Sequence, residues 1–242
     1  MARDSFGSLP RRRRPLVVAT VASGAEARRA LRIGAEALEL RMDLMDDPEG
    51  GPALLSRLRA SGAPLIATCR PRGEGGAWRG PERARFALLA RCAPRAWAVD
   101  LEASAAGTAA GRALRRQLSR GRTRLLLSRH DFSSTPPPAT LRAWFSAIFR
   151  AGADVAKVAV TARRTEDLHH LFGALLSQRR PAVGISMGAA GAPSRVVAGL
   201  FGSVLTYGCV DAPRAPGQVR VDALRRRVEA LFPGTRPREM PA

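Results

Sequence analysis

The chain has 242 residues, a formal net charge of +20 and a pI near 11.8, and 45% of its residues are hydrophobic. That length supports a sizeable core in one large domain or two small ones, and the apolar fraction argues against a disordered chain. The charge invites a nucleic-acid partner, but the arginines are spread through every segment, aromatic residues make up only 5%, and no recognition motif occurs, all of which argue against one.

Arg11, Arg12, Arg13 and Arg14 precede an apolar run from Pro15 to Ala22 and superficially resemble a signal peptide. Glu26, Arg28 and Arg29 follow too closely, and cleavage would remove a strand that the fold requires. Residues 1–14 therefore read as a mobile basic N-terminal tail, 15–235 as one catalytic domain and 236–242 as a C-terminal tail. No other segment is long enough to cross a bilayer. Cys69, Cys92 and Cys209 are far apart and fit no zinc spacing, so buried free thiols and a cytoplasmic location are expected.

From Pro15 onward the chain alternates. Strand-like runs fall at Pro15–Thr20, Ala37–Asp43, Pro64–Arg70, Ala96–Glu102, Thr123–His130, Asp154–Val160, Pro181–Met187 and Val204–Val210. Helical patterns rich in Ala, Leu and Arg lie between and after them, at 24–33, 51–61, 81–92, 108–119, 138–151, 165–178, 193–201 and 218–231. Eight βα units in about 220 residues predict an α/β fold, a single (β/α)₈ TIM barrel, for which about 250 residues is typical. A doubly wound open sheet is the alternative, yet no Gly-rich dinucleotide or phosphate loop follows the first strand.

Active sites of such barrels gather at the C-terminal ends of the strands. In the second strand Glu39, Arg41 and Asp43 alternate with Leu40 and Met42, which points all three into the barrel. Arg70, Asp100, Glu102, His130, Asp131, Lys157 and Ser186 lie in or at the ends of later strands and are expected on the same rim. His169 and His170, in a polar helical stretch, read as solvated surface.

Lys157 stands out, being the only lysine beside 39 arginines. Guanidinium stays charged, whereas a desolvated amine can lose its proton and attack a carbonyl. A lysine imine with a ketone acidifies the neighbouring carbon, and His130 is suited to take that proton at neutral pH. Glu74, in the mobile Gly-rich segment Gly73-Glu74-Gly75-Gly76, could hold the imidazole tautomer, and rim arginines would bind an anionic, carboxylate-bearing substrate. The residues alone thus suggest imine chemistry without metal or cofactor.

Several motifs occur in order: Glu39-Leu40-Arg41-Met42-Asp43, Thr68-Cys69-Arg70 followed by Glu74-Gly75-Gly76, Val99-Asp100-Leu101-Glu102, Ser128-Arg129-His130-Asp131-Phe132, Ala156-Lys157, Ser186-Met187, Ser194-Arg195, Phe201-Gly202-Ser203 and Ala215-Pro216-Gly217-Gln218. Together they resemble type I 3-dehydroquinate dehydratases, Schiff-base-forming (β/α)₈ enzymes of the shikimate pathway, from about Pro15 to Leu231. The resemblance implies that Lys157 condenses with the C3 ketone of 3-dehydroquinate, that His130 moves protons at C2 and the C1 hydroxyl, and that Glu74 is its carboxylate partner. It assigns ring-hydroxyl binding to Glu39, Arg41 and Arg70, and carboxylate binding to Arg195 and Gln218. It further implies a homodimer, no cofactor and no metal.

Two positions depart from the family pattern. Thr20 replaces a frequent serine, and Arg214 stands where a small hydroxyl residue is common, with an outward turn toward Asp211 as one expected outcome. A class I aldolase or transaldolase also places a Schiff-base lysine in a barrel, but His130 with Glu74 favours dehydration. A nucleic-acid-binding role through Arg11 to Arg14 is the less favoured alternative.

Overall fold

The computed structural model describes residues 14–235. Within them eight strands, β1 (Leu16–Val21), β2 (Ala37–Arg41), β3 (Leu65–Thr68), β4 (Ala98–Glu102), β5 (Arg124–His130), β6 (Val155–Thr161), β7 (Ala182–Met187) and β8 (Leu205–Cys209), form one parallel sheet. They are followed in turn by α1 (Gly24–Arg32), α2 (Gly51–Leu58), α3 (Glu82–Cys92), α4 (Ala109–Ser119), α5 (Pro138–Arg150), α6 (Glu166–Leu176), α7 (Ser194–Val197) and α8 (Val221–Leu231). The strand order β7-β6-β5-β4-β3-β2-β1-β8 leaves β7 and β8 as the two ends of the sheet. A bridge between Ala182 and Ser203 and the Val204 N–H to Ala182 carbonyl bond of 2.9 Å draw the ends together. The (β/α)₈ barrel is thus nearly closed.

Period-2 alternation sorts the side chains into two cores. Outward residues such as Val17, Leu38, Leu40, Val99, Leu127 and Val158 pack under the helices. Inward residues, including Val18, Ala37, Ile66, Ala98, Leu126, Val155 and Val183, fill the lower barrel. One inward step further along the strands come Thr20, Glu39, Thr68, Asp100, Ser128 and Lys157, all buried. The polar layer therefore rests on an apolar floor, and it can be held in place only by bonds among its own members.

Local sequence explains the joins. Ser23 accepts from the Glu26 N–H at 3.1 Å, and Glu26 reaches back to the Ala22 N–H at 2.7 Å, so α1 starts on a reciprocal cap. Where one long helix over 193–201 is predicted, α7 has four residues and then tightens to a 3₁₀ turn over Ala198–Phe201, ending on left-handed Gly202. The backbone packs closely here, since a Cβ on Gly199 would lie 2.5 Å from Pro15.

Two terminal expectations change or fall outside the described residues. Arg14, read as part of a mobile tail and a candidate nucleic-acid contact, is buried and binds the Glu36 carboxylate through both terminal nitrogens at 2.7 and 2.5 Å. The rest of the N-terminal tail, Arg11 to Arg13 included, and the tail at 236–242 lie outside the described residues. Cys69, Cys92 and Cys209 are free and buried, and burial pushes the Cys92 thiol up to about 12. Among the described residues, no helix is long and apolar enough to cross a membrane.

Candidate active site

A cavity of about 180 Å³ opens at the C-terminal end of the barrel. Thr20, Glu39, Arg41, Arg70, Glu74, His130, Lys157, Arg195, Arg214 and Gln218 all line it, so every residue singled out from the sequence for catalysis or binding faces one space. A wider depression among Arg112, Arg115, Arg116, Arg122 and Arg124 lies at the opposite end of the barrel, and its one carboxylate, Asp154, is engaged by the Leu125 N–H at 2.8 Å.

Lys157 projects from the middle of β6 and is only 5% exposed. Its Nζ lies 3.1 Å from Asp100 Oδ2 and 3.5 Å from Glu39 Oε1, and 4.3 Å from the centre of the Tyr207 ring. Register accounts for part of this set, since Ser128 pairs with Lys157 across β5 and β6 and Thr68 pairs with Asp100 across β3 and β4. Glu39 also accepts from the Thr20 and Thr68 hydroxyls at 3.3 and 3.1 Å, which fixes the carboxylate against the amine.

Arg70 is fully committed to its neighbours. It meets Asp100 Oδ1 at 2.8 Å, Glu102 Oε1 at 3.0 Å and Ser128 Oγ at 2.7 Å. Burial alone would raise the Asp100 carboxyl, but Arg70 and Lys157 hold it well below the usual carboxylate range. Arg70 therefore orders the carboxylates beneath the cavity as well as lining it.

His130 ends β5, and its Nδ1 lies 3.1 Å from Glu74 Oε2. With Nδ1–H donating to the carboxylate, Nε2 is left to accept a proton. Burial, then the positive charge of Arg70, pushes the imidazole down to about 4, although the bond to Glu74 opposes the shift. Burial would raise Glu74, but His130 and Arg70 outweigh it and hold that carboxyl below its ordinary value. At neutral pH the pair is thus imidazole and carboxylate.

The Gly-rich loop is shaped rather than slack. Gly75 takes a left-handed φ of 76°, and a Cβ there would strike Phe132, whose ring stacks on His130 at 5.8 Å. A Cβ on Gly76 would fall 2.0 Å from the Arg70 carbonyl oxygen. Asp43, expected in the second strand and aimed into the barrel, sits instead in a 3₁₀ turn over Met42–Leu44. There it takes Arg41 in a two-point pair at 2.9 and 2.7 Å and accepts the Arg70 and Ala77 N–H groups at 3.0 Å each. Its role is to fasten the loop that carries Glu74.

Across the cavity, the buried Arg195 guanidinium donates to the carbonyls of Gly217, Tyr207 and Pro216 at 2.7, 3.2 and 2.9 Å and, among the described residues, pairs with no carboxylate. Burial without a counter-charge lowers it to about 10. Those three bonds use three of its five N–H donors, so the group is placed to receive an anion. Gln218 beside it accepts the Arg214 N–H at 2.8 Å and approaches Thr20 Oγ1 at 3.4 Å. Arg214 turns its guanidinium away, as one expectation had it, but to a different partner: it pairs with Glu26 at 2.6 Å, while Asp211 pairs with Arg29 at 2.5 Å.

Other rim expectations fail. Ser186 faces outward, and its backbone N–H binds Ser194 Oγ at 2.9 Å. Asp131 caps the turn over Ser133 and Ser134. Of the helical pair read as solvated surface, His169 is exposed, whereas His170 is half-buried with an unpartnered Nδ1. The sequence reading gave Asp100 no role and missed Tyr207 altogether. Strand alternation signalled the first; the second is the only tyrosine of the chain, at an inward position of β8.

A family model described as type I 3-dehydroquinase matches residues 14–233. The 3-dehydroquinate dehydratase of Methanothrix thermoacetophila is 37% identical over 220 residues, covering 90% of this chain and 92% of that protein. The one from Methanosarcina acetivorans is 35% identical over 218 residues, covering 85% and 89%. The crystal structure of 3-dehydroquinate dehydratase from Geobacillus kaustophilus superposes with a TM-score of 0.83 at 30% identity, covering 92% of this chain and 93% of that one. With cavity, strand positions and relatives in agreement, the chain belongs to the type I 3-dehydroquinase family.

Proposed function

We propose that the protein converts 3-dehydroquinate to 3-dehydroshikimate and water through an imine on Lys157. The observation that carries this reading is the one lysine of the chain, buried in the barrel within a cavity that also holds a neutral histidine and an uncompensated arginine. Arg195 and Gln218 receive the substrate carboxylate. Arg41 and Glu39 meet the ring hydroxyls, with Arg70 ordering the carboxylates beneath them.

The Lys157 amine, once deprotonated, adds to the C3 carbonyl carbon, and the resulting carbinolamine loses water to give an iminium. The positive nitrogen draws electron density from C2, so His130 Nε2 can remove a C2 proton and leave an enamine. The enamine electrons then expel the C1 hydroxyl, which takes the proton from His130 and departs as water. Glu74 keeps Nδ1 protonated throughout and stabilises the transient imidazolium. Water then hydrolyses the iminium, releasing the enone and restoring the amine.

Borohydride reduction in the presence of 3-dehydroquinate, read by intact mass and peptide mapping, tests the reading. A reduced adduct on Lys157, absent in Lys157→Arg, is expected; turnover retained by Lys157→Arg would overturn it. The reading extends to a cytoplasmic homodimer. Three buried free thiols suit a reducing compartment, and light scattering would check the assembly.

A further inference from the structure

Arg85 sits on α3, outside the barrel wall and outside the cavity, yet it is only 1% exposed. Its Nη1 lies 2.9 Å from Glu102 Oε2 and also donates to the Cys69 carbonyl at 2.9 Å. Its Nε and Nη2 hold Glu82, a surface carboxylate, at 2.9 and 2.7 Å. From Glu102 the contacts run inward with alternating charge: Glu102 Oε1 to Arg70 at 3.0 Å, Arg70 to Asp100 Oδ1 at 2.8 Å, and Asp100 Oδ2 to Lys157 Nζ at 3.1 Å. Each carboxylate divides its two oxygens between two cations. Each oxygen therefore fixes the rotation of the next group, and Arg85 closes the outer end.

We propose that Arg85 is a positioning residue for the catalytic amine, holding Glu102 so that Arg70 and Asp100 present Lys157 to the substrate carbonyl. This rests on the imine reading of Lys157. Glu102 Oε2 is buried with no hydrogen-bond partner among the described residues and is balanced there by the Arg85 charge at 2.9 Å; without Arg85 it either takes up a proton or rotates toward Arg70. Burial already pushes Glu102 up, with Arg70 and Arg85 opposing. A Glu102 that turns onto Arg70 pulls the guanidinium from Asp100, which then keeps the Ser128 hydroxyl at 2.6 Å but loses the charged half of its hold beside the amine. Arg195 and Gln218 are untouched by any of these bonds, so binding of the substrate carboxylate should be spared.

The test compares Arg85→Met, Arg85→Lys and Glu82→Gln with the wild type in steady-state kinetics across pH and in the rate of borohydride trapping. Trapping of the wild type comes first. If Lys157 is not reduced there, the imine reading fails; if it is, every later result bears on Arg85 alone. Arg85→Met should lower kcat and the trapping rate by about ten- to hundredfold with KM nearly unchanged and shift the kcat–pH profile, and Arg85→Lys should recover part of both. Wild-type kcat, trapping rate and pH profile in folded Arg85→Met would overturn the proposal, as would a rise in KM with kcat intact. If Arg85→Met does not fold, Glu82→Gln decides. That position is exposed, and loosening the outer grip on Arg85 should lower kcat and shift its pH profile in the same direction, whereas an unchanged profile would overturn the proposal.

Discussion

Acid is the sharpest probe of the His130 environment. The imidazole falls from an ordinary 6.5 to about 4 in the folded protein, chiefly through burial. A folded-state value below the unfolded one means that the unfolded chain binds the proton more tightly, so stability is full above about 6.5 and is lost as pH falls toward 4. At about 1.4 kcal/mol per unit the whole displacement is worth about 3 kcal/mol, of which about 2 kcal/mol is lost between roughly pH 7 and pH 5. Urea unfolding at those two pH values, repeated on His130→Gln, isolates this share from other groups: the variant should lose about 2 kcal/mol less than the wild type. The same displacement places the acid limb of kcat/KM well below the ordinary histidine value, because the free enzyme keeps its base unprotonated down to about 4. An acid limb near 6.5, together with equal pH dependence of stability in wild type and variant, would refute the burial argument.

Arg195→Met should raise KM for 3-dehydroquinate by about 30- to 150-fold at little-changed kcat, as removal of a charge-assisted bond worth about 2 to 3 kcal/mol requires; an unchanged KM would show that the carboxylate binds elsewhere. Arg214→Ser removes a partly buried ion pair with Glu26, so thermal unfolding should register a loss of up to about 1 kcal/mol while kcat/KM stays within about threefold. A rise in activity by orders of magnitude would mean that Arg214 crowds the native cavity. Gly76→Ala, whose Cβ would meet the Arg70 carbonyl at 2.0 Å, should shift the loop, cost about 1 to 3 kcal/mol in denaturant unfolding and lower kcat through Glu74. Wild-type kcat and stability there would count against the fixed loop geometry.

The barrel was legible because each βα unit repeats two unlike periodicities, and the strand runs and helix patterns need no long-range information to be recognised. The cavity was legible where a residue's place in its strand decides its direction, as for Glu39 and Lys157. Strand parity misled where the strand stopped early: β2 ends at Arg41, so Asp43 leaves the alternation and turns to the loop instead. Ser186 shows the complementary limit, since Val183, Ile185 and Met187 take the inward positions of β7 and leave the serine facing α7. Asp100 meeting Lys157, and Arg85 reaching Glu102 from the helix layer, depend on barrel tilt and helix packing, which no local pattern records.

Arginine content gives the least guidance in this chain, because nearly every cation is arginine and the residue type alone marks no role. What separates the arginines is the group opposite each one. Arg41, Arg70 and Arg85 each face carboxylates of the protein itself, and their charge is spent on holding Asp43, Asp100 and Glu102 in place. Among the described residues Arg195 bonds to carbonyls alone, which orient a guanidinium without neutralising it. A buried cation in that state is costly to the empty protein, and a carboxylate entering the cavity relieves the cost. Binding free energy is therefore concentrated at one end of the substrate. The other end meets an amine held by Asp100 and Glu39, a separation that lets carboxylate affinity and amine placement be altered independently by mutation.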